Sequence, residues 1–442
     1  MKKRASYHQE RLWFIDRFER ESLYENGPVY HNIPVVWEFH SNINEEALQK
    51  SINALIIRHE VFRTTLVQEQ ENLLQVIHEP SPVEVESWYF SAEEMTREEV
   101  IAFLLEKNKI SFQNGLGGML FKFGLLTLAD GKAFLLLTIH HALCDDASVN
   151  ILKRELREFY INSSNSTLDV NLKEDTLQYV DFSDWQRELE GKSFERDLRY
   201  WRRKLGHSLQ DLELPEDRKR EEIHVYHPTT VINQISNEIK GKVGIFCKER
   251  EVSSKAFYCA VFKLLLSKLS RLREINIGTS VSDRIQDEFK EVVGAFSNLV
   301  VLSDFVRKSD TFDELVAQVQ KTLHDAERHS VIPFDRLVAE LKPQNDMSRT
   351  ALFDVLYCYE KRLDEKCAEV TALDFNLGWG KYDYNLLLLE KADVIEILLT
   401  YNDLYFDHDS AVALLNGFCK LCLWVLKNTE TKLKEADIDN DK

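Results

Sequence analysis

The sequence predicts a mixed α/β protein of two lobes, and three observations predict it. At 442 residues the chain exceeds the length at which a single hydrophobic core stops growing, which favours two lobes over one. Apolar residues at strand spacing alternate with apolar residues at helical spacing through both halves. The stretch around which the first half is organised, Ala133 to Asp146, reads AFLLLTIHHALCDD. Its run from Ala133 to Ile139 has the length of a strand buried on both faces, although periodicity alone leaves a buried helical segment open.

Taken in order, the first clear element is a helix from Asn44, a suitable N-cap, with Leu48, Ile52, Leu55 and Ile56 facing a core. It delivers Arg58, His59 and Glu60 at its end, where cations are favourable, and a structural role suits them better than a catalytic one. Asn72 to His78 and Leu120 to Leu128 read as strands, with a helix near Glu98 to Lys107 between them. Gly117 and Gly118 do not form a phosphate loop, because no Lys-Ser/Thr and helix follow. After the central strand, Val149, Leu152, Leu156, Phe159 and Tyr160 fall at helical spacing, so His-His-x-x-x-Asp-Asp is a strand-to-helix loop.

The polar stretch Asn162 to Thr176 is the natural linker, which divides the chain into lobes at 1–175 and 176–442. Asp184 to Leu205 then reads as one long charged helix with Trp185, Leu189, Leu198 and Trp201 on its apolar side. Phe257, Val261, Leu264 and Leu265 mark a buried helix, and Ile275 to Val281 a strand that ends at Ser282, Asp283 and Arg284. Asp383 to Leu389 and Val394 to Tyr401 look like paired strands, and Val412 to Leu426 like a closing helix.

A net charge of −18 argues against a nucleic-acid partner and disfavours an anionic membrane. The opening MKKRASYHQERLWF lacks the apolar core of a signal peptide, and no run of about 20 apolar residues follows. A soluble cytoplasmic monomer is expected. Seven cysteines scattered in apolar context fit reduced thiols better than a disulfide framework. Cys419 and Cys422 form a lone CxxC in an apolar helix, and Cys144 lies in the key loop; both sites read as packing.

Two adjacent histidines on a loop point different ways, one into the interior and one into a cleft. A histidine among apolar residues is more often a satisfied core residue than a catalyst, so the pair alone leaves both readings open. The whole phrase HHALCDD, with its Ser-led helix, resembles the HHxxxDG signature of the condensation domains of nonribosomal peptide synthetases, with Asp146 where that family writes Gly. Other blocks of the family are similar and in order. Ser6, Gln9, Arg11, Leu12 and Trp13 resemble SxAQxRLWxL, with His8 in place of Ala. Arg58, His59, Glu60, Arg63 and Thr64 match RHExLRTxF, and Tyr179, Asp181, Phe182 and Trp185 match the block opening the second half. Gly294, Phe296 and Asn298 resemble GxFVNT, Pro333 and Phe334 resemble PFE, and only Ser348, Arg349, Leu352 and Phe353 remain of RDxSRNPLF.

The resemblance implies an α/β fold of the α+β sandwich type: two chloramphenicol-acetyltransferase-like lobes in a V-shaped pseudo-dimer with a central tunnel. It implies amide-bond formation between a donor acyl or peptidyl thioester and an acceptor aminoacyl thioester. Both arrive on 4'-phosphopantetheine arms of carrier proteins, beside a neighbouring adenylation domain, with no permanently bound cofactor. It makes His141 the catalytic residue, as general base or as a partner positioning the amine. His140 becomes a packing residue, Asp145 a structural acid paired with Arg284 from the second lobe, and Asn298 and Ser297 tunnel residues. Asp146 either alters the site or caps the following helix. An HH pair on a loop lacks the i, i+4 spacing and Glu of a zinc protease, so no metal is implied. The competing expectations are an epimerising or ester-forming relative and a non-catalytic domain that recruits a partner.

Overall fold

The computed structural model describes residues 1–22, 29, 31–40, 42–90, 95–112, 118–165, 176–206, 212–222, 225–341, 346, 348–362, 369–373 and 382–436. The chain forms two compact units, the first comprising Met1–Glu190, Ser282–Ser297 and Glu365–Leu377, the second Gly191–Val281, Asn298–Asp364 and Gly378–Lys442. This corrects the single cut expected between 175 and 176. Compactness follows packing, and two later segments complete the first unit. Most of the expected linker, residues 166–175, lies outside the described residues.

In the first unit, β1 (Lys2–Arg4) leads into helix α1 (Tyr7–Ser22), followed by β2 (Asn32–Phe39), α2 (Glu45–Arg58), β3 (Thr64–Glu69), β4 (Asn72–Ile77) and β5 (Val85–Phe90). Then come α3 (Arg97–Asn108), β6 (Phe121–Leu128), β7 (Ala133–His140), α4 (Asp146–Ser164) and α5 (Tyr179–Glu188). The main sheet runs β2-β7-β6-β5, and a strand returning at Val370–Leu373 lies antiparallel on the free edge of β2. A small sheet, β1-β4-β3, stands apart from it. All eight residues of β2 and all eight of β7 are buried, because both sheet faces are covered. Val36, Leu136 and Leu126 meet Val100 and Leu104 of α3 on one face. On the other, the Trp37 indole donates to the Lys153 carbonyl at 3.2 Å and Phe39 meets Tyr160 edge-on at 4.9 Å, both partners on α4.

Helix starts follow side-chain caps. The Asn44 side chain accepts from Ala47 N–H at 3.0 Å, and Thr96 forms a capping box with Glu99. The long helix expected from Asp184 to Leu205 is instead two helices, α5 ending at Glu188 and α6 spanning Lys192–Leu205. Gly191 separates them at φ +112°, a backbone conformation that a side chain would strain, and the boundary between the units falls there too.

The second unit continues with β8 (Pro228–Ile235), α7 (Asn237–Glu249), α8 (Ser254–Ser270), β9 (Glu274–Ser282), β10 (Ser297–Phe305), α9 (Phe312–Arg328), α10 (Phe334–Leu341) and β11 (Val355–Lys361). After β12, the Val370–Leu373 strand of the first unit, come β13 (Tyr384–Glu390), β14 (Ile395–Asn402) and α11 (His408–Lys427). Its sheet has the order β10-β9-β11-β13-β14-β8, with β11 parallel to both neighbours and β13, β14 and β8 antiparallel in turn. Helix α8 is buried nearly all round, including Lys263. That ammonium donates to the Ile275 carbonyl at 3.2 Å and the Leu302 carbonyl at 2.6 Å and lies 2.8 Å from an Asp304 carboxylate oxygen, so the buried charge is compensated.

By length and composition alone, helix α11 could cross a membrane. Asn416 and Lys420 interrupt its apolar residues, so no continuous run shows in the sequence. Here its buried side packs on α8 and β8 as a core helix. Burial pushes the Cys419 thiol up to about 11 and raises Cys422 well above its ordinary value, which suits packing and not redox chemistry.

Candidate active site

Strand β7 leaves the sheet at His140, whose partner Asn32 is the first residue of β2. The next turn is closed by Leu143 N–H on the His140 carbonyl at 2.9 Å. His140 is 1% exposed, its Nδ1 accepts from Ala142 N–H at 3.0 Å, and its ring lies 5.4 Å from that of His31. An Nδ1 that accepts leaves the ring proton on Nε2. His141 is half-buried, with its backbone N–H held by the His31 carbonyl at 2.8 Å. Its Nδ1 lies 2.8 Å from the Cys144 carbonyl. A carbonyl can only accept, so Nδ1 carries a proton, and in the neutral form of the ring the lone pair lies on Nε2. The two rings therefore hold opposite tautomers.

Cys144 is fully buried, and desolvation, with Asp145 and Asp146 adding to it, raises its thiol well above the ordinary value. A thiol held protonated in this way is a packing group and not a nucleophile. Asp145 caps α4: its Oδ1 accepts Ser148 N–H at 2.9 Å and the Ser148 hydroxyl at 2.7 Å. Asp146, expected as a possible cap, is instead the exposed first residue of the helix, because only the residue before the first turn can direct its side chain back at the free N–H groups.

Asp145 pairs with Arg284 through Nη1, and both side chains are buried. Nη2 donates to the Ser148 hydroxyl at 2.7 Å and the Val292 carbonyl at 2.9 Å, and the guanidinium lies 4.0 Å over the Phe296 ring. The pair does not join two lobes, as sequence order suggested. Residues 282–297 belong to the first unit, so both partners lie within it.

The same segment is held at further points that sequence reasoning did not assign. A Cβ on Gly294 would lie 1.9 Å from the Tyr179 ring, so only glycine permits this approach. The Tyr179 hydroxyl donates to the Ala295 carbonyl at 2.7 Å, and burial raises its phenol far above the usual range. Phe182 meets Phe296 at 4.5 Å and Phe289 at 5.6 Å. His8, noted only as a departure from the motif, lies buried with Nε2 2.8 Å from Asp283. A residue pattern of Asp145 with Ser148 three positions on is the one local signal of this network, since it marks a capped helix start.

Other motif residues lie elsewhere. His59 and Arg58 meet Glu155 of α4 at 2.6 and 3.0 Å, bracing α2 on α4. Asn298 is 1% exposed in the second unit, where its Nδ2 donates to the Ser330 and Ile332 carbonyls at 2.7 and 2.9 Å and its Oδ1 accepts Phe334 N–H at 3.1 Å. The amide is committed to the turn before α10. Asn298→Ala should cost about 1–3 kcal/mol, the range for leaving buried groups without partners, measured as a lower urea midpoint. Ser297, beside it in sequence, is half-buried.

The condensation domain profile matches residues 3–442. The chain belongs to that family. Condensation domains of nonribosomal peptide synthetases are acyltransferase-type, amide-bond-forming enzymes. One of the linear gramicidin synthase proteins of Brevibacillus parabrevis is 29% identical over 440 residues, covering 97% of this chain and 6% of that protein. Chondramide synthase cmdD of Chondromyces crocatus is 28% identical over 419 residues, covering 93% of this chain and 10% of that protein. This condensation domain thus spans a small fraction of the curated relatives it matches. A four-domain nonribosomal peptide synthetase structure superposes with a TM-score of 0.85 at 20% identity, covering 100% of this chain and 34% of that one. The X-domain in its complex with OxyB from teicoplanin biosynthesis superposes with a TM-score of 0.86 at 21% identity, covering 100% of this chain and 97% of that one. These likenesses place both units in the chloramphenicol-acetyltransferase-like fold.

Proposed function

We propose that this condensation domain joins a donor acyl or peptidyl thioester to the amine of an acceptor aminoacyl thioester, with His141 as the base. The substrates arrive on phosphopantetheine arms of two carrier proteins working beside an adenylation domain in the cytoplasm, and the domain holds no permanent cofactor. The observation that carries this reading is the bond from His141 Nδ1 to the Cys144 carbonyl, which puts the proton of the neutral ring on Nδ1 and its lone pair on Nε2. The acceptor nitrogen attacks the donor carbonyl carbon, and Nε2 takes the proton that the nitrogen sheds. The tetrahedral intermediate then expels the donor thiolate, which recovers the proton from the imidazolium, and the amide remains on the acceptor arm.

Presenting both reactants on tethered arms can lower the barrier by about 7–11 kcal/mol at best, and a positioned base adds about 10²–10⁴-fold. The test is incubation with one loaded donor and one loaded acceptor carrier. Intact mass spectrometry should show the acyl-aminoacyl product on the acceptor and a free thiol on the donor. Two fully loaded carriers that remain unchanged overturn the reading.

Asp146 modulates this site. It stands exposed on the first turn of α4, five positions after His141. Its side chain occupies space that glycine would leave open. As a helix-start carboxylate it stabilises α4 by about 0.3–1 kcal/mol. Asp146→Gly should therefore raise the single-turnover rate constant or widen the donor range, with a melting temperature only slightly lowered. Wild-type rates with several donors would reduce Asp146 to its interaction with the helix dipole.

A further inference from the structure

We propose that Ser148 is a positioning residue for condensation, its hydroxyl setting the orientation of the His141 imidazole through Asp145. The proposal rests on His141 as the base. Ser148 is fully buried, and four polar groups converge on its Oγ. Gly294 N–H and Arg284 Nη2 donate to it at 2.9 and 2.7 Å. Its own proton is left for Asp145 Oδ1 at 2.7 Å or the Gly294 carbonyl at 2.9 Å, and the carboxylate is the stronger acceptor. One proton and two lone pairs are thereby all used.

Asp145 is the residue at which the loop becomes a helix, and it directly follows Cys144, whose carbonyl fixes His141 Nδ1. The path from Ser148 to the imidazole is therefore short: hydroxyl to carboxylate, carboxylate through the backbone to the Cys144 carbonyl, carbonyl to Nδ1. Arg284 supplies the charge that Asp145 needs. Ser148 supplies direction, because its one oxygen touches both an Asp145 oxygen and the N–H and carbonyl of Gly294. Alanine removes one donor from Asp145 Oδ1 and the acceptor from the Gly294 N–H. The Cys144 peptide is then free to turn, and the preference for the Nδ1–H tautomer weakens.

The experiment combines single-turnover transfer between two loaded carriers with NMR of ¹⁵N-imidazole histidine, the His141 signal assigned by its loss in His141→Gln. Ser148→Ala should leave KM for both carriers unchanged and lower the transfer constant about 10- to 100-fold, the scale at which a displaced catalytic group loses rate. The His141 pattern should move from Nδ1–H towards a mixture of tautomers. Ser148→Thr, which keeps the hydroxyl, should restore both. Should Ser148→Ala fail to accumulate, Ser148→Cys, similar in shape but a weak acceptor, carries the same comparison. A wild-type transfer constant, or a lost rate with the tautomer unchanged, overturns the proposal. Failure of the base assignment is distinguishable, since His141→Ala would then transfer at the wild-type rate whatever Ser148 does.

Discussion

His141→Ala lowers single-turnover transfer by about 10²–10⁴-fold, the range for a lost general base, while leaving the fold intact. The side chain is half-buried and its Nδ1 bonds to the Cys144 carbonyl, so truncation removes that hydrogen bond and little packing. The readout is the first-order constant with both carriers saturating, which isolates chemistry from docking. His140→Ala behaves differently. Its ring is 1% exposed and its Nδ1 accepts the Ala142 N–H, so the loss falls on stability and is read from the melting temperature. Equal transfer constants for wild type and His141→Ala would remove this histidine from the reaction and leave alignment of the tethered substrates as the source of rate.

Arg284→Ala destabilises the protein by about 3–5 kcal/mol, because removing one member of a buried pair leaves the other charged and uncompensated. Side-chain exposures of 6% for Arg284 and 2% for Asp145 place the pair in that regime and not among weak surface pairs. The variant also loses donors to the Val292 carbonyl and the Ser148 hydroxyl, and the cation over Phe296. Arg284→Lys keeps the charge without the fork and should fall between wild type and alanine. The measurement is the urea midpoint. Unfolding of Arg284→Ala at the wild-type midpoint would show that the pair contributes nothing net.

These two residues were legible to different degrees. His141 was legible because an apolar strand, a polar stop and a helix-period pattern lie consecutively, and their order places the loop without any long-range information. Ala133–His140 and Asp146–Ser164 match that reading closely. The Asp145–Arg284 partnership was implied by resemblance, but its location was misjudged, because lobes were drawn by chain order. The break at Gly191 was legible in principle, as a glycine inside a helical pattern, yet the apolar spacing across it outweighed the signal.

What the sequence by itself determined is local: the central strand, the histidine loop, the capped helix after it, and the residue set from which a condensation site is made. Each depends on neighbours a few positions apart, whose side chains share a face by the geometry of the element alone. Only the tertiary structure decided that residues 282–297 complete the first unit, that Asp145 and not Asp146 caps α4, and that His141 carries its proton on Nδ1. Those outcomes depend on contacts such as Arg284 with Asp145, 139 positions apart, and on which way single carbonyls point once both segments are packed. No local pattern encodes them, because the energy that selects them comes from burying and satisfying polar groups brought together by the whole fold.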